Sequence, residues 1–80
     1  METVVSDVIK VLKPEFDIDV NQDLVGTGVL DSFDLLLLVS DLEAATGLNI
    51  PGICLTPENF YNVKSISSLL DSLKGADDAS

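Results

Sequence analysis

The stretch from Asp31 to Gly47, "DSFDLLLLVSDLEAATG", limits the possible folds more than any other part of the chain. Two residues able to cap a helix precede apolar side chains at three- and four-residue spacing, and a glycine suited to a left-handed terminus follows. The segment reads as a helix that begins at Asp31 or Ser32, either of which can serve as N-cap, and ends near Thr46. At about 100° per residue, Leu35, Leu38, Val39, Leu42, Ala45 and Thr46 fall on one arc, enough for a core-facing stripe. Phe33, Leu36 and Leu37 fall on the other side, among Asp34, Ser40, Asp41 and Glu43. Two explanations stay open for them. A small bundle can bury the helix on nearly all sides, with Leu24, Leu30 or Phe60 as covers, or the three can form apolar spots ringed by carboxylates where a partner docks.

The rest of the chain divides around this helix. Thr3 to Lys13 carries Val5, Val8, Ile9 and Leu12 at helical spacing, with Val4 and Val11 widening the stripe, and Pro14 stops the helix. The connection that follows, "PEFDIDVNQDLVGTGVL", combines turn formers with apolar anchors at Phe16, Val20, Leu24 and Leu30. A loop of that length in a compact domain tends to be functional or disordered, and its anchors argue against disorder. Thr56-Pro57-Glu58 has the order expected at a helix start, leading into a short turn or two through Asn59 to Tyr61. Ser65 can cap a last helix whose Ile66, Leu69, Leu70 and Leu73 share a face and which Gly75 would end. The pattern predicts one domain over residues 1–75 with a flexible tail at 76–80: three main helices and a short one, all-α, with a long loop after the first.

With 80 residues, nearly every apolar face must be used for one core, which leaves no room for a deep enzyme cleft. Fourteen acids against four lysines give a net charge of −10, and no Lys or Arg lies between Lys13 and Lys64. Such a field repels nucleic acid and anionic membrane and draws in basic partner surfaces. No apolar run approaches the length of a membrane span. Cys54 is the only cysteine, so no intrachain disulfide can form, and a reducing cytoplasm is the expected setting. The chain has no histidine, which removes both a Ser-His-Asp triad and the usual activator of a thiol and leaves Cys54 as a small buried filler or a partly exposed thiol.

Ser32 stands where unpaired N–H groups and the helix dipole favour a negatively charged substituent, so a phosphodiester on its hydroxyl would be well placed. The glycines of "GTG" permit a loop that presents it, acids flank it, and apolar residues follow within a turn.

At these residues the chain resembles a family. "GVLDSFDLLLLVSDLEAATGLNIP" followed by "LTPENFYNVKSISSLL" is similar to the acyl carrier and peptidyl carrier proteins, over about Val4 to Leu73. The resemblance implies a four-helix acyl-carrier-like bundle and 4'-phosphopantetheine, donated from coenzyme A, on Ser32, with Asp31 as the adjacent motif acid. Phe33 takes the place of the family's usual leucine. By the same resemblance the protein is a monomeric carrier and not an enzyme. A phosphopantetheinyl transferase loads its arm, and an acyl- or aminoacyl-loading enzyme and downstream synthases with basic patches use it. Phe33, Asp34, Leu36, Leu37, Asp41 and Glu43 would meet these partners. "GVLDS" and "LTPENF" look like specialised free-standing carriers of secondary metabolism or aminoacyl transfer rather than the fatty-acid type. Fatty acyl, polyketide, aminoacyl and peptidyl cargo all remain open.

Two decoys accompany this reading. Asp71-Ser72-Leu73 matches the family's Asp-Ser-Leu motif more literally, but it is expected in the last turn of the final helix, where the dipole disfavours phosphate. Asp17, Asp19, Asn21 and Asp23 echo a calcium loop, yet its sixth position is Gln22 instead of glycine and its twelfth is Gly28 instead of glutamate. An unmodified acidic interaction module and a small calcium-binding protein are the alternatives from other functional classes.

Overall fold

The computed structural model of the protein describes residues 1–78, with side chains described through Gly75. Three α-helices, α1 (Glu2–Leu12), α2 (Ser32–Thr46) and α3 (Val63–Asp78), are joined by a long first loop and by a second connection holding a single 3₁₀ turn at Gly52–Cys54. Helix α1 packs against both α2 and α3, and among the described residues α2 and α3 make no comparable contact with each other. The loops therefore have to supply core of their own. Leu24, Val29, Leu30, Ile50 and Phe60 all lie outside the helices and are buried in one cluster with Val5 and Ile9 of α1, Leu38 and Leu42 of α2, and Ile66 and Leu70 of α3. Fully burying a side chain of this size contributes roughly 1.5–3 kcal/mol, so the loop residues matter as much to cohesion as the helical ones.

Main-chain hydrogen bonds fasten the first connection to the second, to the start of α3 and to itself. The Leu24 amide donates to the Tyr61 carbonyl at 2.7 Å, the Lys64 amide to the Val20 carbonyl at 3.3 Å, and the Leu30 amide to the Leu24 carbonyl at 2.9 Å. Gly47 ends α2 in the left-handed region at φ 72°, donating its amide to the Glu43 carbonyl, the terminator its position in the sequence predicts.

Several expectations are corrected. Val11 is 81% exposed and Phe16 is 40% exposed, so neither widens nor anchors the core. The buried face of α1 is set by Val5 and Ile9, and Val11, two residues past Ile9, lies about 200° around the helix from it. Leu24, Leu30 and Phe60 are core residues and not covers for the outer side of α2. Ala45 is exposed, so the buried stripe of α2 narrows to Leu38, Val39 and Leu42.

The short helix expected from Thr56 is only a turn, in which Phe60 donates to the Thr56 carbonyl at 3.1 Å and Asn59 to the Thr56 hydroxyl at 3.3 Å. The short helical element is instead the 3₁₀ turn just before it. Helix α3 starts three residues earlier than a Ser65 cap would place it, because the Asn62 side chain accepts from the Ser65 amide at 2.8 Å and takes the cap. That start draws Val63, which is 1% exposed, into the helix and the core. Gly75 does not end α3, which continues to Asp78. A glycine permits a left-handed stop without imposing one, and only Gly28 and Gly47 have positive φ among the described residues. Of the expected flexible tail, 76–78 are helical and 79–80 lie outside the described residues.

The two sides of α2 should respond differently to truncation. Leu38→Ala, at a site with no exposure, is expected to cost about 2–5 kcal/mol by denaturant unfolding, and Leu36→Ala, at 62% exposure, less than about 0.5 kcal/mol. Equal losses at the two sites would contradict this placement.

Candidate functional site: the N-terminus of helix α2

The loop before α2 is shaped by Asp23. Its carboxylate accepts from the amides of Val25 at 3.1 Å and Gly26 at 2.8 Å, and its carbonyl accepts from the Thr27 hydroxyl. Gly28 follows at φ 79°, a backbone conformation costly for any residue with a Cβ, and turns the chain so that Val29 and Leu30 enter the core. Immediately after these anchors comes the exposed trio Asp31, Ser32 and Phe33.

Asp31, and not Ser32, is the N-cap. Its carboxylate accepts from the Asp34 amide at 2.8 Å, and the Asp34 carboxylate accepts from the Asp31 amide at 3.3 Å, a reciprocal capping box. Ser32 is thereby the first helical residue, with an exposed side chain that the cap does not use. The sequence leaves the cap ambiguous between these two positions. The structure resolves it in the way that frees the hydroxyl.

Asp34 is held from a second direction. Lys13, the residue that caps the C-terminus of α1, places its ammonium 3.1 Å from the Asp34 carboxylate, and both side chains are largely covered. The hydrogen bond from Lys13 is the largest influence holding the Asp34 carboxyl below its ordinary pKa of 3.8, with the Asp31 amide adding to it. The same bond to Asp34 holds Lys13 above its ordinary 10.5, and the nearby charges of Glu15 and Asp31 act in the same direction.

Beside Ser32 lies an open cleft of about 470 Å³ whose walls include Val25, Leu30, Leu35, Leu55 and Pro57. The outer side of α2 is apolar in part: Phe33 is 68% exposed, Leu36 62% and Leu37 39%. The question left open for these three residues is settled toward exposure. Of the acids grouped with them in the sequence, Asp41 is exposed, whereas Asp34 and Glu43 are engaged inside the molecule. Glu43 accepts from the Ile50 amide at 2.8 Å and so fastens the start of the second connection to α2. Neither role is legible from the helix wheel, because Lys13 and the Ile50 amide arrive from outside the helix.

The decoys resolve differently. Ser72 is exposed in the body of α3, not in its last turn as expected, because the helix continues past Gly75; it has no free helix N-terminus beside it. The Asp19 carboxylate accepts from the Asn21 amide at 3.0 Å and Asp23 from the amides already described, so both serve as turn formers. Among the described residues no group of three or more His, Cys, Asp or Glu side chains is placed to hold a metal ion. None of the described helices is long and apolar enough to cross a membrane.

The acid dependence of the Lys13–Asp34 pair follows from these shifts. Asp34, whose pKa is lowered on folding, stabilises the fold above the ordinary 3.8, and that contribution is lost as pH falls through its lower folded value. Lys13, whose pKa is raised, contributes fully below 10.5 and loses its contribution as pH rises through its higher folded value. The difference in Tm between the native protein and Asp34→Asn should therefore hold at neutral pH and close on acidification below 3.8. A constant difference through that range would show that the pair does not stabilise the fold.

Known proteins place this arrangement. A family model described as phosphopantetheine attachment site matches residues 2–73. Two solved chains are also similar, both from crystal structures of the Bradyrhizobium japonicum glycine:carrier-protein ligase. In one the ligase is complexed with its cognate carrier protein and an analogue of glycyl adenylate: TM-score 0.77, 27% identity, covering 89% of this chain and 95% of that one. In the other it is complexed with glycylated carrier protein: TM-score 0.75, 28% identity, covering 85% and 95%. No significant match was found among curated proteins. The helical fold, the sequence match over nearly its whole length and the serine-headed second helix together make this chain a member of the phosphopantetheine-attachment family, whose domains carry 4'-phosphopantetheine covalently on a serine.

Proposed function

We propose that Ser32 is the attachment residue and that the protein is a carrier of aminoacyl groups, held as thioesters on the thiol of the arm. The observation that carries the assignment is the cap. Asp31 accepts from the Asp34 amide and Asp34 from the Asp31 amide, which leaves the Ser32 hydroxyl exposed at the positive end of the helix dipole. A phosphodiester there gains roughly 0.3–1 kcal/mol from the dipole. The residues present fit the group: the serine is accessible, and the adjacent cleft offers Val25, Leu35 and Leu55 to the apolar parts of an arm. The arm supplies a flexible thiol, and the protein supplies its fixed point and the surface that partners read.

In the loading step the Ser32 oxygen bonds to the phosphorus of coenzyme A that bears the pantetheine. The bond from that phosphorus to the adenosine bisphosphate portion breaks, and the hydroxyl proton passes to a base on the transferase. The carrier performs no chemistry of its own. The aminoacyl class of cargo is favoured because both similar solved chains come from complexes of a glycine ligase. A loading ligase and downstream enzymes with basic patches are the partners. Phe33, Leu36 and Leu37 provide short-range contact, and Asp41, with the acids of the first loop, provides steering. We place the protein in the cytoplasm as a monomer, in keeping with its single cysteine.

Incubation with coenzyme A and a phosphopantetheinyl transferase should add one phosphopantetheine mass by intact mass spectrometry. Ser32→Ala should abolish the addition and Ser72→Ala leave it unchanged; a mass gain that survives Ser32→Ala would end the assignment. Association of the loaded carrier with an aminoacyl ligase should be on the order of micromolar and weaken as salt rises, because steering charges are screened within about 10 Å at 0.1 M. An affinity indifferent to salt would remove the electrostatic component.

A further inference from the structure

The N-terminus of α2 can be capped in two registers, and only one of them leaves Ser32 available. In the observed register Asp31 is the cap and the third helical residue is Asp34, whose carboxylate can reciprocate. Moved one residue on, the cap would be Ser32, itself a favourable capping residue, and its oxygen would be drawn to the helix amides. The third helical position would then be Leu35, which cannot return a hydrogen bond. Asp34 is thus the side chain that discriminates between the registers, and its carboxylate is the acceptor for both the Asp31 amide at 3.3 Å and the Lys13 ammonium at 3.1 Å. Both contacts fall on the same oxygen, Oδ2. No other lysine or arginine occurs from residue 14 to residue 63.

We propose that Lys13 is a positioning residue for the modification of Ser32, acting through Asp34 to hold the capping register in which the serine hydroxyl is free. The proposal rests on the assignment of Ser32 made above and adds a residue that lies outside the motif, at the far end of another helix. Lys13 follows the last residue of α1, and its backbone is fixed there by its amide, which donates to the Ile9 carbonyl at 2.7 Å. Packing of α1 against α2 brings its ammonium to the head of α2. When the ion pair is absent, the Asp34 carboxylate loses one of its two tethers, the fraction of molecules in the competent register falls, and the apparent efficiency of modification falls with that fraction.

The test is the rate of phosphopantetheine transfer from coenzyme A by a phosphopantetheinyl transferase, measured as kcat/KM for the native carrier, Lys13→Ala, Lys13→Arg, Asp34→Asn and the double variant Lys13→Ala with Asp34→Asn. Lys13→Ala and Asp34→Asn should each lower kcat/KM about three- to fivefold, the range that a partly exposed ion pair supports. The double variant should be no slower than the slower single, because both remove one interaction, and Lys13→Arg should restore most of the rate. Hydrogen exchange should quicken at the Asp31 and Asp34 amides in Lys13→Ala and stay unchanged at Leu42 in the body of α2, which separates a local register effect from general loosening. Native rates in Lys13→Ala, multiplying losses in the double variant, or a loss in Lys13→Ala with none in Asp34→Asn would overturn the proposal. A native carrier that gains no mass at all would instead remove the Ser32 assignment.

Discussion

The reciprocal hydrogen bonding between Asp31 and Asp34 is the constraint on which the site depends. A helix must satisfy its first amides, and in this chain two adjacent residues are equally able to begin doing so. Because the aspartate takes the task and a second aspartate answers it, the serine between them projects freely at the positive end of a 15-residue dipole. The ion pair with Lys13 joins this local geometry to the packing of α1, so the presentation of one hydroxyl is coupled to the tertiary fold.

The same helix shows how a small domain divides its apolar residues. Leu38, Val39 and Leu42 meet the core, while Phe33, Leu36 and Leu37 remain exposed one turn or less away. With α1 lying against both other helices, the described residues hold no fourth long helix to cover the outer side of α2. Core that a fourth helix would have contributed comes from Leu24, Val29, Leu30, Ile50 and Phe60 in the connections. The outcome is an uncovered apolar strip within a turn of Ser32, on the side of α2 that the core does not use.

Much of this was legible in the sequence where the physics is local. The bounds of α2, the stop at Pro14, the terminator at Gly47, the all-α class and the resemblance carried by "GVLDSF" all depend on residues close together in the chain. What escaped depends on contacts between distant segments. Asp34 and Glu43 look like free surface acids on the wheel and are instead held by Lys13 and by the Ile50 amide. Asn62 outcompetes Ser65 for the cap of α3 because only that start places Val63 in the core. At Thr56 and at Gly75 the local signals, a start and a stop, permit a helix to begin or to end without imposing it: the first yields a single turn and the second is passed over.

The pairing of the Leu24 amide with the Tyr61 carbonyl and of the Lys64 amide with the Val20 carbonyl has a consequence for how such a surface can diversify. These links run through main-chain atoms, which every amino acid except proline supplies in full. Side chains on the outward positions of both connections, Asn21 and Ile53 among them, are therefore released from holding the scaffold together. Substitution at those positions leaves the path of the chain, and with it the place of Ser32, where it was.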